Sequence, residues 1–216
     1  MIANILVAYF LKGGPVMWPI LVCAFVAVAV VGERIFWWWW YESRLRDHDT
    51  LMKIMDALHR GNLQEANSLS KGSRDPVIQM VDHGLNDHDT SLQVAMQAAA
   101  GAVLRRAGRF LPVMDTLVTL APLLGLLGTV TGIMRSFTSI GSAELAVNKV
   151  TGGIGEALIA TACGLGIAII SLIPLNYFSG KVTGLQYELE TAASNVEVLL
   201  SRMKRRSRRP NNGIPD

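Results

Sequence analysis

Residues 150–178 contain a single carboxylate, Glu156, and no Lys, Arg or Asp. A charged carboxylate in such an apolar segment costs several kcal/mol unless it is paired, protonated or wetted. Thr161 follows on the same segment, and at helical spacing its side chain points about 140° away from that of Glu156. The two residues therefore do not aim at one object. Glu156 is either an interfacial residue or a tie to a neighbouring helix, while Thr161 faces elsewhere. A third candidate, Thr129, stands beside Ala121, Gly125, Gly128, Gly132 and Ser136, small residues three or four positions apart. Ala157, Thr161, Gly164, Ala168 and Ser171 repeat that pattern. Two such faces either pack two helices closely or line a narrow passage, and Gly128 with Gly132 forms a GxxxG pair. A threonine hydroxyl there either bonds the carbonyl one turn back or faces the passage. The chemistry on offer is hydrogen bonding and proton exchange, because a hydroxyl both donates and accepts. No nucleophile elbow, zinc motif or phosphate-binding loop accompanies it, so the chain is not read as an enzyme and no cofactor or metal is expected.

The elements that hold these residues follow from composition. Of 216 residues, 50% are hydrophobic, and the mean hydropathy is +0.33. The apolar residues gather in three blocks, each long enough to cross a hydrocarbon core of roughly 30 Å. We place the spans at residues 15–41, 110–137 and 150–178. A short segment, 1–14, precedes the first, a polar loop, 42–109, follows it, a short connection, 138–149, joins the second and third, and an extension, 179–216, ends the chain. The first block mimics a signal peptide at Ala27-Val28-Ala29. Only Lys12 precedes it and the apolar run is too long, so we read a span instead. Trp18 lies at one end of this span and Trp37, Trp38, Trp39 and Trp40 at the other. Their separation is about 28 Å of helix, the distance between two interfacial belts, and the aromatics are read as membrane anchors. Glu33 and Arg34, one turn inside, are expected to pair or snorkel. Cys23 and Cys163 fall within apolar blocks and act as small hydrophobes, not as a disulfide framework.

Lys and Arg near the membrane set the orientation. Arg34, Arg44, Arg46, Arg105, Arg106, Arg109 and Lys181 lie on one side, against Lys12, Arg135 and Lys149 on the other. The N-terminus is expected outside, with the large loop and the C-terminus in the cytoplasm. The loop carries Asp47-His48-Asp49-Thr50 and Asp87-His88-Asp89-Thr90. Both clusters precede helical patterns, so we read them as N-caps and not as metal ligands. From Leu92 to Leu104 the apolar residues recur at helical spacing, and one long helix is expected to rise from the loop into the second span. Beyond the third span Leu185, Leu189, Ala192, Val196, Leu199 and Met203 form a stripe of the same period. Such a stripe implies neighbours, including subunits of an oligomer. The run Lys204-Arg205-Arg206-Ser207-Arg208-Arg209 carries much of the net charge of +3. It suits cytoplasmic retention and anionic lipid, and no nucleic acid is expected as a partner.

Two long motifs, "LAPLLGLLGTVTGIMRSF" (120–137) and "GGIGEALIATACGLGIAI" (152–169), resemble the ExbB/TolQ/MotA family of proton-channel subunits, the ExbB and TolQ branches above all. "GERIFW" at the end of the first span and "GNLQEA" (61–66) are also similar to the family. The resemblance implies an all-α membrane protein with three transmembrane helices and long cytoplasmic helical extensions, assembled as a pentameric ring in the bacterial inner membrane. It implies that two helices of an ExbD/TolR-like single-span partner occupy the central pore, with a TonB/TolA-like protein further along. By the same likeness Thr129 and Thr161 are the pore threonines, Glu156 is the membrane glutamate, and Pro122 is the proline before "LLGLLGTV". One departure stands out. The family pattern "AIP" has Ile170 at its proline position here, and the proline falls one turn later, at Pro174. The function implied is that of a subunit in a proton-driven motor serving an outer-membrane process. The competing readings are a membrane scaffold without proton flux and a MotA-like flagellar-stator relative, for which four spans would be expected.

Overall fold

The computed structural model describes residues 10, 13–44, 46–86, 92–138 and 143–208. The described residues form seven helices: α1 (Met17–Arg44), α2 (His48–Arg60), α3 (Leu63–Ser70), α4 (Pro76–Asn86), α5 (Leu92–Ala107), α6 (Leu111–Thr138) and α7 (Ala143–Arg208). Three stretches are long and apolar enough to cross a membrane: Met17–Glu42, Leu111–Thr138 and part of Thr151–Met203. The second Asp-His-Asp cluster, residues 139–142 and the chain from 209 lie outside the described residues.

The chain divides into two units. The first comprises Met1–Phe36 and Phe110–Ser179, the second Trp37–Arg109 and Gly180–Asp216. In the first, Val16 just before α1 and Met17 and Ile20 within it pack onto Ala160 of α7, with Leu124, Cys163 and Ile167 around them. Cys23 and Ala27 of α1 close on Leu117 of α6. The opposite faces expose Phe25, Val28, Leu123, Leu127, Ile170 and Ile173. An outward apolar surface of this kind is what a hydrocarbon solvent requires of backbone-satisfied helices.

The second unit is held by caps and a core of its own. Asp47 caps α2 by accepting from the Thr50 amide at 3.0 Å and the Thr50 hydroxyl at 2.6 Å, so the first Asp-His-Asp cluster begins a helix as its sequence suggests. "GNLQEA" is a helix-to-helix corner. Gly61 ends α2 in the left-handed region at φ 82°, where a Cβ would be strained. Asn62 then caps α3, accepting from the Glu65 amide at 3.1 Å while its own amide group donates to the Glu65 carboxylate at 3.0 Å. Asp75 is buried and both its oxygens are used, by the Asp47 and Val77 amides, each at 2.8 Å.

Three expectations are corrected here. The long helix predicted from the loop into the second span is two helices, α5 and α6, separated by a turn at 108–110. Pro112 has no N–H for the Gly108 carbonyl, so the i→i−4 ladder cannot run through, and Gly108 itself favours helix poorly. The stripe beyond the third span does not wait for another subunit. Leu185, Leu189, Ala192, Val196 and Leu199 are buried within the chain's own second unit. The tryptophan collar is not uniform either. Trp39 and Trp40 are exposed, but Trp38 is 5% exposed. Successive helical side chains point about 100° apart, so four in a row cannot all face outward. Trp37 stacks on Tyr41 with ring centroids 5.2 Å apart, and Lys181 lies 6.0 Å over the Trp38 ring.

Candidate functional site

Helices α6 and α7 meet through their small residues, in antiparallel order. A Cβ on Gly125 would stand 2.9 Å from Thr161 Cα, and one on Gly132 would stand 3.0 Å from the Gly153 carbonyl and 3.1 Å from Ala157 Cβ. A Cβ on Gly128 would meet Ala160 Cβ at 2.5 Å, and one on Gly164 would overlap the Ala121 carbonyl. The backbones are therefore as close as Gly and Ala allow, the arrangement small-residue faces permit. Ala157, Gly164, Ala168 and Ser171 are buried on this side of α7. The two faces are thus occupied by each other within one chain, and their presence alone does not call for a second subunit.

Both threonines are half-buried. Thr161 donates its hydroxyl proton across the interface to the Gly125 carbonyl at 2.9 Å. In the α-helical ladder that carbonyl also receives the Thr129 amide. One carbonyl thereby ties the two predicted residues together. The Thr129 hydroxyl donates to the Leu126 carbonyl, one turn back, at 2.6 Å. Both hydroxyls keep lone pairs able to accept a proton donor. Pro122, also half-buried, sits inside α6. It leaves the Val118 carbonyl without its usual amide donor.

Glu156 does not share this contact. It is 26% exposed and pairs with Arg135 of α6 at 3.3 Å. Its carboxylate also lies against Gly14, where a Cβ would overlap Oε1. Glu156 and Thr161 were expected to serve different neighbours, but both reach α6, Glu156 at Arg135 and Thr161 at the Gly125 carbonyl, ten residues apart on that helix. Arg34 pairs rather than snorkels. It is 1% exposed and grips the Glu33 carboxylate at 2.5 and 2.7 Å, with its guanidinium 5.5 Å from the centre of the Phe110 ring. A two-pronged, charge-assisted contact with an aromatic face above it is what makes a buried guanidinium tolerable.

The sequence reading passed over one titratable group. Asp115 lies within α6 and is exposed. The signal was present: like Glu156, it is a carboxylate inside an apolar span. Among the described residues no cluster of three or more His, Cys, Asp or Glu could hold a metal ion.

A sequence model of the MotA/TolQ/ExbB proton channel family matches residues 50–191, which include both threonines, Glu156 and Pro122. The chain belongs to this family. An ExbB-like biopolymer transport protein of Synechocystis sp. is 36% identical over 175 residues, covering 78% of this chain and 82% of its own length. The biopolymer transport protein ExbB of Salmonella typhimurium is 36% identical over 153 residues, 69% of this chain and 58% of that protein. The Tol-Pal system protein TolQ of Pseudomonas aeruginosa is 36% identical over 120 residues, 54% of this chain and 52% of that protein. The chain thus spans little more than half of the latter two relatives. The family match begins at residue 50 and leaves α1 outside it.

Proposed function

We propose that the protein is the ExbB/TolQ-like ring subunit of an inner-membrane motor driven by the proton-motive force. In this reading it energises transport or another outer-membrane process through an ExbD/TolR-type partner, with a TonB/TolA-like protein receiving the work. The subunits form a ring, five in number as the family likeness suggests. The N-terminus is outside and the 42–109 loop and C-terminus are cytoplasmic, because Lys and Arg concentrate there. The observation that carries the reading is the pair of hydroxyls, Thr129 and Thr161, joined through one carbonyl on two closely packed apolar helices of a proton-channel-family chain. The protein makes no covalent bonds. It presents hydroxyls to a titratable group on the partner, and proton entry and exit bias the partner's position relative to the ring. Glu156 keeps the outer approach polar through its pair with Arg135, and Trp18, Trp39 and Trp40 anchor the first span at the interfaces.

One observation favours a plain scaffold. The Thr161 hydroxyl is already engaged by Gly125, which packing alone would explain. The two readings part on substitution. Thr129→Val with Thr161→Val keeps the shape and removes both hydroxyls. We expect loss of energy-dependent transport in cells, with complex size and partner retention unchanged on gentle purification. Transport at the parent level, with the partner still bound, would leave the scaffold reading standing.

A further inference from the structure

Asp115 has no place in the path just described. It stands one turn into α6 and is exposed, and among the described residues no salt bridge reaches it. Its surroundings on the helix are polar. At 100° per residue, Thr119, Pro122, Leu126 and Thr129 all fall within about 40° of Asp115. The small-residue face that packs on α7 points elsewhere. Thr119, exposed, donates its hydroxyl to the Thr116 carbonyl at 2.9 Å and approaches the Asp115 carbonyl at 3.3 Å. Pro122 frees the Val118 carbonyl on the same side. Leu126 contributes the carbonyl that receives the Thr129 hydroxyl. One side of a hydrophobic helix thus carries a carboxylate, two hydroxyls and a freed carbonyl, exposed at Asp115, Thr119 and Leu126 and half-buried at Pro122 and Thr129. Turned to lipid, this side would leave a carboxylate and a polar backbone group in hydrocarbon, at several kcal/mol.

We infer that Asp115 is the proton-exchanging group at the α6 N-terminal end of the path, and that the face running from it through Thr119 to Thr129 is wetted. The distance along the axis is about 21 Å, too long for direct transfer, so water completes it. A hydrated proton is taken up by the carboxylate, which leaves water behind. The resulting acid releases it to the next water, and the carboxylate is restored. Each hydroxyl accepts on a lone pair as it gives up its own proton, so charge and atoms balance. The inference rests on the proton-channel reading and adds a residue that the reading does not contain.

Two measurements on the full-length protein with its co-purified partner test it. With Cys23 and Cys163 replaced by Ala, single cysteines are placed at Thr119, Leu126, Leu120 and Leu127 and exposed in membranes to a water-soluble methanethiosulfonate cation. Thr119→Cys and Leu126→Cys should react. Their neighbours in sequence, Leu120→Cys and Leu127→Cys, lie at nearly the same depth on another side and should not. In vesicles with an internal pH dye, Asp115→Asn should reduce proton uptake to that of vesicles lacking the protein, and Asp115→Glu should preserve it. Equal inertness of all four cysteines, or parental flux in Asp115→Asn, overturns the inference. If Asp115→Asn conducts while Thr129→Val with Thr161→Val does not, the inference falls and the proposed function stands. A parent complex without proton flux sinks both.

Discussion

Thr161 donates its one hydroxyl proton to a neighbouring helix, so in this state its oxygen is open only as an acceptor. To donate it must first release Gly125, and that exchange is where a hydroxyl differs from the isosteric methyl of valine. Asp47 shows the same dependence of role on hydrogen bonding at the start of α2. The Thr50 hydroxyl and then its amide hold the Asp47 carboxyl below its ordinary value of 3.8. A group depressed on folding stabilises the fold above its unfolded pKa, and that contribution is lost as pH falls through the folded value. The cap should therefore act fully at neutral pH and fade below pH 3.8. Asp47→Ala should lower the melting temperature at pH 7. Asp47→Asn, which caps without a charge, should retain most of the stability and lose less on acidification. Circular dichroism melts at pH 7 and at a pH below 3.8 decide it; identical melts for all three proteins would remove the cap from the account.

The junction of α6 with α7 depends on what its glycines lack. Gly164 faces the Ala121 carbonyl, which is backbone and cannot swing aside. Gly164→Ala should destabilise the pair by about 1–3 kcal/mol, the usual penalty for overpacking. Gly166, two residues on, meets nothing within 4 Å when given a Cβ. Gly166→Ala should leave the fold of one chain intact and gain slightly in helix propensity. Thermal melting in detergent, followed by tryptophan fluorescence, compares the two. If Gly164→Ala melts like the parent, the close approach of the helices is not as described. If Gly166→Ala alone breaks the oligomer, the open side of Gly166 lies against another subunit.

The molecule presents two different surfaces. The first unit exposes large apolar side chains along α1, α6 and α7, while the second buries its stripe and exposes charge. That contrast is what a chain partly in lipid and partly in water shows. Asn86 at the end of α4 is exposed, and it reports the side on which the second unit lies. A cysteine at Asn86 should resist a membrane-impermeant maleimide in intact cells and react once the membrane is opened. Ready labelling in intact cells would reverse the orientation. The same purified protein should scatter light as a ring-sized oligomer in mild detergent. A monodisperse monomer would end both the ring and the motor. The burial of the stripe and the mutual packing of the small faces mean that this expectation rests on the family likeness.

Three apolar stretches, the cap at Asp47, and the small faces of α6 and α7 were all legible in the sequence; the cap at Asn62 was not, and α7 continues well beyond residue 178. Each legible feature is a local signal: an apolar run, a side-chain oxygen before a helix, a period of three to four. The membership of the family was legible too, because the two motifs are long. What the sequence left open needed contacts distant in the chain. Whether two small faces pack together or line a passage depends on whether they meet, and the Gly125–Thr161 contact shows that they do. Arg135 and Glu156 are 21 residues apart, and no spacing rule pairs them. The stripe from Leu185 onward reads the same whether it is buried by this chain or by another copy, since hydrophobic burial has no direction. Only the tertiary structure decided that its own chain covers it, and that Trp38 is core while Trp39 is surface.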